Sequence, residues 1–385
     1  MRLAEMVSRE DFYNILSASV TKYFQEAHGK DVCFSYTKRD ACQRLIINGK
    51  LGFISPFPPP SGLRKFLLAE YNVRGSKIKY LIGKAAALLL SAFPQIGNLK
   101  NAYITEGVLG KHTFISPQNR SIRFFDYEAM VVDCVIKEGF TDKYFANQLA
   151  FRKQYQYDFI LPLLESAKCW FREPILLGNP LARVTDERKY AKAEQDALRH
   201  IRTLAEDTLT YESAQEYVGS ILKHIEALVA QAVSRKQIQY ASQTLTLARN
   251  AAGMVMETSM QIPLCMSHGD FQGGNIWLDK QGKTWLYDWE TAGRRSVWYD
   301  SAVLCYSLRR AYGWASLMQD AQPQRICNCD PQKVRDTEEY ACIKRIVLLE
   351  DIAFYLEDML ELPEDWGAQI FDSNMERLWM LFKEN

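Results

Sequence analysis

The sequence lacks a surplus of either charge and lacks a long apolar run. Its 385 residues carry 47 Lys or Arg and 46 Asp or Glu, so the formal net charge is +1. This balance leaves no global positive field for nucleic acid, and we therefore expect no DNA or RNA partner. The longest uncharged, mostly apolar stretch, residues 85–99, contains Pro94 and Gly97 and is shorter than the about 20 residues of a bilayer span. No transmembrane helix is expected.

Cysteine spacing gives no sign of a disulfide framework. The nine cysteines are scattered, and Cys327 and Cys329 form the only close pair, with no matching His or Cys pair nearby for zinc. Such cysteines are typical of reduced thiols. The N-terminus carries Glu5 and has no apolar core, so it does not resemble a secretory signal. Together these features predict a cytoplasmic protein.

Hydrophobic patterning predicts three parts, in keeping with a chain long enough for two or three domains. Residues 1–98 form an N-terminal extension of unknown role, in which residues 78–93 predict a buried helix that ends before Pro94. Residues 99–175 contain three β-rich runs followed by a helical pattern. Residues 176–385 are mainly helical apart from one motif-rich segment. The predicted class is α+β.

The motif-rich segment spans residues 267–300. Residues 276–279 and 284–287 predict two short strands, and a four-residue loop between them would place Asn275 opposite Asp288. Asp270 lies on the incoming loop. Two carboxylates and one amide oxygen suit Mg²⁺, which takes few protein oxygens beside phosphate and water. Phosphoryl transfer requires such a metal together with a carboxylate that accepts the proton of the attacking hydroxyl.

The order and spacing of these residues resemble the aminoglycoside phosphotransferase/choline kinase-like family. The resemblance rests on His268-Gly269-Asp270, on Asn275 five residues after the aspartate, and on Asp288-Trp289-Glu290. Asp300 resembles the downstream aspartate that braces the catalytic loop in that family. The resemblance implies a two-lobed protein-kinase-like fold, with a nucleotide-binding N-lobe over residues 99–175, a helical C-lobe over residues 176–385, and residues 1–98 as an extra segment.

The resemblance also implies roles for single residues in an ATP- and Mg²⁺-dependent phosphotransferase. Asp270 would be the catalytic base, and Asn275 and Asp288 the metal ligands. Lys137, at the end of a β-rich run, would contact the α- and β-phosphates of the nucleotide. Gly107 and Gly110 are candidates for the loop that covers the phosphates. Gln148 stands near the place of the family's helix acid, which is a departure from the pattern.

The expected acceptor of the phosphoryl group is a hydroxyl of a small molecule, and a sugar or glycan precursor is slightly favoured over an amino-alcohol or aminoglycoside. Acids of the C-terminal helices, among them the pairs Glu350/Asp351 and Glu357/Asp358, form either a wall for a cationic substrate or a solvated face. Arg294 and Arg295 either hold an anionic sugar or face solvent.

Two other functions compete with this one. The weak glycine loop and Gln148 motivate a kinase-like binding protein or scaffold with weak or no catalysis. A protein kinase is disfavoured, because no Ala-Pro-Glu follows the Asp288 motif within forty residues.

Overall fold

The computed structural model describes residues 3–70, 77–110, 112–235, 238–322, 337–361 and 366–384. The chain forms two compact units. The first comprises Met1–Ala193 with Ile276–Glu290, and the second comprises Glu194–Asn275 with Thr291–Asn385.

The strands are short and the helices long. The strands are β1 (Phe34–Ser35), β2 (Cys42–Asn48), β3 (Phe53–Pro56), β4 (Asn98–Thr105), β5 (Thr113–Pro117), β6 (Ser121–Asp126), β7 (Val131–Ile136), β8 (Glu165–Ser166), β9 (Trp170–Pro174), β10 (Gly178–Pro180), β11 (Thr210–Ser213), β12 (Gln261–Ser267), β13 (Ile276–Asp279), β14 (Thr284–Leu286) and β15 (Gly293–Ser296). The helices are α1 (Leu3–Arg9), α2 (Phe12–His28), α3 (Ser61–Glu70), α4 (Lys77–Ala92), α5 (Lys143–Gln154), α6 (Glu187–Asp207), α7 (Ala214–Ser234), α8 (Ala241–Met256), α9 (Tyr299–Cys305), α10 (Gly313–Gln319), α11 (Thr337–Glu361) and α12 (Trp366–Glu384).

The first unit is built on one antiparallel sheet. Its nine strands run in the order β1-β4-β2-β3-β5-β6-β7-β9-β8. Helix α2 covers one face, because Phe12, Leu16, Val20 and Phe24 recur every four residues and so lie on one side of the helix. Burial of each such side chain contributes about 1.5–3 kcal/mol. A smaller sheet, β10-β13-β14, completes this unit.

The N-terminal extension is part of this sheet. Strands β2 and β3 of the extension pair with β4 and β5, so the sheet runs without interruption past residue 98. The predicted boundary between residues 98 and 99 falls inside β4, and the compact unit continues to Ala193. Hydrogen bonding between strands distant in sequence, which composition does not reveal, explains this difference from the predicted division.

Helix α4 has the predicted position but not the predicted environment. It ends at Ala92, before Pro94, as expected. The expectation that it is buried was wrong, because Ile78, Leu81 and Ile82 are 71%, 63% and 64% exposed.

The second unit is mainly helical and confirms the predicted α+β class for the whole chain. Its core joins α7, α8, α11 and α12 around buried side chains such as Val218, Leu247 and Ile346. A three-stranded sheet, β11-β12-β15, lies in the same unit.

The sequence predicted no transmembrane helix and reduced cysteine thiols. No helix in the described ranges is long and apolar enough to cross a membrane. The seven cysteines in the described part of the chain are thiols and not disulfides. Cys327 and Cys329, the close pair noted in the sequence, lie outside the described residues.

Candidate active site

A buried carboxylate holds the loop that carries Asp270. Strand β12 ends at Ser267, and Asp300 in the first turn of α9 accepts hydrogen bonds from the Ser267 hydroxyl at 2.9 Å and from the amides of His268 and Gly269 at 2.7 and 3.0 Å. The brace implied by the resemblance is therefore present. Gly269 has φ +84°, and a Cβ there would lie 2.3 Å from the Thr291 carbonyl oxygen, so only glycine fits.

Arg309 fixes the carboxylate of Asp270. Its Nε donates to Asp270 Oδ1 at 2.7 Å, its second nitrogen binds Asp351 at 2.6 Å, and its third donates to the Gly269 carbonyl at 2.7 Å. Gln272 donates to the other Asp270 oxygen at 2.9 Å. Burial alone raises the pKa of Asp270, but the charge of Arg309 and these hydrogen bonds outweigh it and leave the pKa lowered. Asp270 is therefore ionised and rigidly oriented at neutral pH.

Asn275 is tied to the same carboxylate. Its amide nitrogen donates to Asp270 Oδ2 at 2.9 Å and to the Asp270 backbone carbonyl at 2.8 Å. These two bonds turn the amide oxygen away from Asp270. Oxygen is the atom by which an asparagine binds a hard cation, and the orientation therefore leaves that atom available for Mg²⁺.

The hairpin after Asn275 has a different register from the predicted one. Ile276 pairs with Leu286, whereas a four-residue loop would pair Ile276 with Tyr287. The turn is one residue longer because the Asp279 carboxylate accepts from the amides of Gln281 and Lys283, both at 2.9 Å, and Gly282 adopts φ +86°. The prediction that Asn275 directly faces Asp288 across this hairpin was wrong.

Asp288, Trp289 and Glu290 each have a distinct environment in the first unit. Asp288 has φ +68°, a left-handed conformation that is rare outside glycine and concentrated at functional sites. Trp289 is buried and stacks on Phe151 of α5, with ring centroids 4.2 Å apart. Glu290 forms an ion pair with Arg120 at 2.8 Å. The aspartate is thus held between two anchored neighbours.

Asp288 lines a small cavity of about 140 Å³ next to a larger one of about 830 Å³ within the first unit. The larger cavity is bordered by parts of β5 and β6 and by residues 174–179. Its volume is within the range of small-molecule sites. Among its described lining residues, six are cationic and none is acidic; the cations are Lys50, Lys65, Lys84, Arg123, Arg183 and Lys280. This charge favours an anionic ligand.

Arg123 on β6 lines both cavities. It pairs in register with Cys134 on β7, and its guanidinium lies 5.0 Å from the ring centroid of Tyr287. Its Nε is buried and has no hydrogen-bond partner among the described residues. Burial lowers the pKa of Arg123, but interactions with Tyr287, Cys134 and Asp288 raise it by more, so the pKa is raised overall and the side chain stays charged. Sequence reasoning missed this residue, since a lone arginine in a β-rich run carries no signal.

The predicted nucleotide-binding residues lie elsewhere in the first unit. Lys137 follows β7, is 2% exposed and pairs with Glu10 at 2.5 Å. Gly107 and Gly110 lie between β4 and β5 and do not line either cavity. The β5–β6 hairpin borders both cavities instead, through Gln118.

Helix α5 places Gln148 on the wall of the small cavity. Arg152, the nearest cationic residue along the helix, pairs with an acid of the sheet. Gln148 is 8% exposed. One turn later, Arg152 pairs at 2.6 Å with Glu173 of β9, and Tyr287 donates to the same carboxylate at 2.7 Å. The ion pair in this part of α5 therefore has its cation, Arg152, on the helix and its acid, Glu173, on the sheet.

The C-terminal acids are used inside the second unit. Glu350 and Asp351 are buried, 4% and 0% exposed. Ser296 donates to Glu350 through its amide and its hydroxyl, and Tyr217 donates to it as well. The Glu350/Asp351 pair is thus neither a substrate wall nor a solvated face. Glu364 and Asp365 lie outside the described residues.

The two arginines that follow the Asp288 motif also have partners in the second unit. Arg294 pairs with Glu212 at 2.7 Å. The Arg295 guanidinium donates to the Thr291 carbonyl at 3.1 Å and lies over the Tyr299 ring.

Glu350 gives a pH prediction. Burial raises its pKa from 4.5 to about 7, although hydrogen bonds from Ser296 and Tyr217 oppose the shift. The folded protein therefore holds a proton that the unfolded chain releases, and the free energy of unfolding falls by about 3 kcal/mol as pH rises from below 4.5 to above 7. Denaturant titrations should show a flatter dependence in Glu350→Gln, whereas the exposed Glu257→Gln should keep the wild-type slope. Equal slopes in all three proteins would contradict this origin.

Residues 176–325 match the model of the phosphotransferase enzyme family, APH. The resemblance predicted from the motifs is confirmed over this stretch. The match indicates a phosphotransferase. No curated protein sequence matches the chain.

Solved structures with a similar fold include small-molecule kinases. Plasmodium vivax ethanolamine kinase is 10% identical, with a TM-score of 0.49 over 83% of this chain and 94% of that one. Choline kinase from Cryptosporidium parvum is 9% identical, with a TM-score of 0.44 over 70% and 87%. Aminoglycoside phosphotransferase APH(2'')-Ib with ADP bound is 13% identical, with a TM-score of 0.43 over 68% and 92%. Their substrates are properties of those proteins.

Proposed function

We propose that the protein is an ATP- and Mg²⁺-dependent phosphotransferase whose acceptor is a hydroxyl of a small molecule. The observation that carries the proposal is the Asp270 loop, which lies in the segment matched by the APH model. There a carboxylate is held by Arg309, Gln272 and Asn275 at 2.7–2.9 Å and is kept ionised. A fixed, charged carboxylate on a braced loop is what orientation of an attacking hydroxyl requires.

Asp270 is the catalytic base in this proposal. It accepts a hydrogen bond from the acceptor hydroxyl and takes its proton as the bond from that oxygen to the γ-phosphorus forms, while the bond from the γ-phosphorus to the β–γ bridging oxygen breaks and ADP leaves. Arg309 is a positioning residue, because it acts through Asp270. The lowered pKa of Asp270 makes it a weak base, which suits a loose transition state in which the hydroxyl has to be oriented more than ionised early.

Asn275 and Asp288 would hold Mg²⁺. The orientation of the Asn275 amide and the placement of Asp288 on a cavity wall fit a cation that takes few protein oxygens. No cluster of three or more His, Cys, Asp or Glu suited to a metal occurs in the described part of the chain, which agrees with a metal completed by phosphates and water. When bound, Mg²⁺ neutralises charge on the phosphate oxygens.

The nucleotide occupies the larger cavity, with its phosphates toward Arg123 and Asp288. The six cationic lining residues support this assignment. We assign the phosphate-binding cation to Arg123, because its Nε is buried without a partner while Lys137 already binds Glu10. The roles that the resemblance implies for Lys137, Gly107 and Gly110 remain predictions, and a variant of Lys137 tests the first of them.

Arg123→Gln should weaken MgATP binding by roughly 10- to 100-fold, because a hydrogen bond to a charged group contributes about 1.5–3 kcal/mol. Arg123→Lys should recover part of this loss. Lys137→Gln should instead lower the free energy of unfolding, since it leaves the Glu10 carboxylate in a buried site without its cation. Isothermal titration and denaturant unfolding of the three variants separate the two effects. A larger loss of nucleotide affinity in Lys137→Gln would restore Lys137 as the phosphate ligand.

A sugar or glycan-precursor hydroxyl is favoured over an amino-alcohol. Recognition of a cation requires accessible acids, and the buried Glu350 and Asp351 are committed to partners within the second unit. The Glu357 carboxylate, which accepts from His224, is the more exposed candidate in α11.

The proposal is tested by ATP turnover against a panel of neutral sugars, amino-sugars and amino-alcohols. We expect ADP release and a phosphorylated product, identified by mass spectrometry, with at least one hydroxyl acceptor and only with Mg²⁺. MgATP binding without turnover on any class would favour the kinase-like binding protein. Absence of MgATP binding would refute the nucleotide site itself.

A further inference from the structure

Helix α4 presents its large apolar side chains to the exterior. Ile78, Leu81, Ile82 and Leu89 share one face at spacings of three and four residues and are 53–71% exposed. Phe93, which follows the helix, is 55% exposed. Of the fifteen large apolar side chains that are exposed in the described part of the chain, eight lie between residues 78 and 99.

On the opposite side of α4, the small side chains of Ala87 and Ser91 pack on the protein. Ala87 is fully buried in a cluster with Phe53, Leu63 and Leu67, and Ser91 is 9% exposed. An ordinary surface helix buries its large apolar residues and exposes its polar ones. The reversed arrangement costs solvation free energy in the isolated protein, and such contiguous exposed apolar surfaces mark interaction sites.

The charge around this face identifies the partner. Residues 61–100 contain seven Lys or Arg and one acid, Glu70, a net charge of +6 in a chain whose total is +1. Arg64 and Lys65 on α3, which packs against α4, are exposed. A second copy of the chain would bring two such positive surfaces together, which electrostatic repulsion opposes. An anionic bilayer supplies both an apolar interior and a complementary charge.

We propose that α4 is an interfacial membrane anchor, which lies in the plane of an anionic phospholipid surface with Ile78, Leu81, Ile82, Leu89 and Phe93 inserted among the acyl chains. The helix does not span the bilayer. Exposed basic residues of α3 that do not line the proposed nucleotide cavity, such as Arg64, bind the lipid headgroups. This surface belongs to the first unit and does not depend on the proposed phosphotransferase function.

The test is co-sedimentation of the full chain with phosphatidylcholine vesicles that do or do not contain phosphatidylglycerol. We expect binding that requires phosphatidylglycerol and weakens as salt is added, by roughly fivefold for each basic contact that is screened. The double variant Leu81→Ser/Ile82→Ser should partition at least tenfold more weakly. Because both positions are exposed, the variant should fold normally, which circular dichroism and thermal unfolding check.

A matched control replaces exposed apolar residues elsewhere. Leu164→Ser/Met254→Ser removes side chains of similar exposure, 53% and 52%, and should bind vesicles like the wild type. Equal loss in both double variants, equal binding to neutral vesicles, or no binding at all would overturn the proposal. A dimer seen by light scattering without vesicles, and abolished by the α4 variant alone, would also overturn it and assign the face to a second copy.

Discussion

Asp270→Asn should lower kcat by about 10²- to 10⁴-fold, the contribution of a positioned general base. The amide keeps the size of the side chain and its oxygen can still accept from Arg309, although the nitrogen that replaces Oδ2 no longer accepts from Gln272 and Asn275. It cannot accept the proton of the acceptor hydroxyl. The Kd for MgATP should stay within a few-fold of the wild type, because Asp270 acts on the acceptor and not on the nucleotide.

Steady-state turnover and isothermal titration measure these two quantities once an acceptor is known, and basal ATP hydrolysis serves until then. Glu257→Gln, an exposed acid of the second unit with no role in the proposed site, is the matched control and should keep the wild-type kcat. Full turnover in Asp270→Asn would rule out the base assignment. A parallel loss of nucleotide affinity would mean that Asp270 helps to hold the metal.

Asp288→Asn should remove the Mg²⁺-dependent part of nucleotide binding. In the wild type, MgATP at about 100 times its Kd should add roughly 2.7 kcal/mol to the free energy of unfolding. For a chain of this size we expect a rise in the melting temperature of at least about 2 °C. The variant replaces a carboxylate with a neutral amide at the cavity wall, so the rise should fall to the value seen with ATP and a chelator.

Thermal unfolding with ATP alone, with Mg²⁺ alone and with both resolves this effect. Asp158→Asn, whose side chain is 84% exposed in the same unit, controls for a general loss of negative charge and should behave like the wild type. An unchanged MgATP shift in Asp288→Asn would remove Asp288 from the metal site. Asparagine adopts the left-handed φ of position 288 more readily than most residues, so loss of fold is not expected from this substitution.

Short-range patterns in this chain predicted the loop that carries Asp270 in the second unit. His268, Gly269, Asp270 and Asn275 lie within eight residues, and their roles depend on a loop whose geometry local residues impose. Gly269 is required by its backbone conformation, and Asp300 lies at the start of the next helix. Their order along the chain therefore predicted the loop, and the match to residues 176–325 agrees with it.

The hairpin shows where short-range reasoning fails by one residue. The strands were predicted correctly, but the turn holds an extra residue because Asp279 binds two loop amides. Since strand side chains alternate, a shift of one residue changes which side chains face each other. Turn chemistry, and not hydrophobic alternation, decides this register.

By itself, the sequence determined the α+β class, the two strands of the β13–β14 hairpin and the residues of the Asp270 loop, because these depend on neighbours within a few turns or strands. The tertiary structure alone decided that residues 1–98 enter the main sheet, that Arg309 reaches Asp270, that Lys137 pairs with Glu10, and that Arg123 lines both cavities. Each of these depends on contacts between residues tens to more than a hundred positions apart, which the chain's topology creates and its local pattern does not encode. The exposed face of α4 has the same origin, since a helix's periodicity marks its apolar face but not what that face meets.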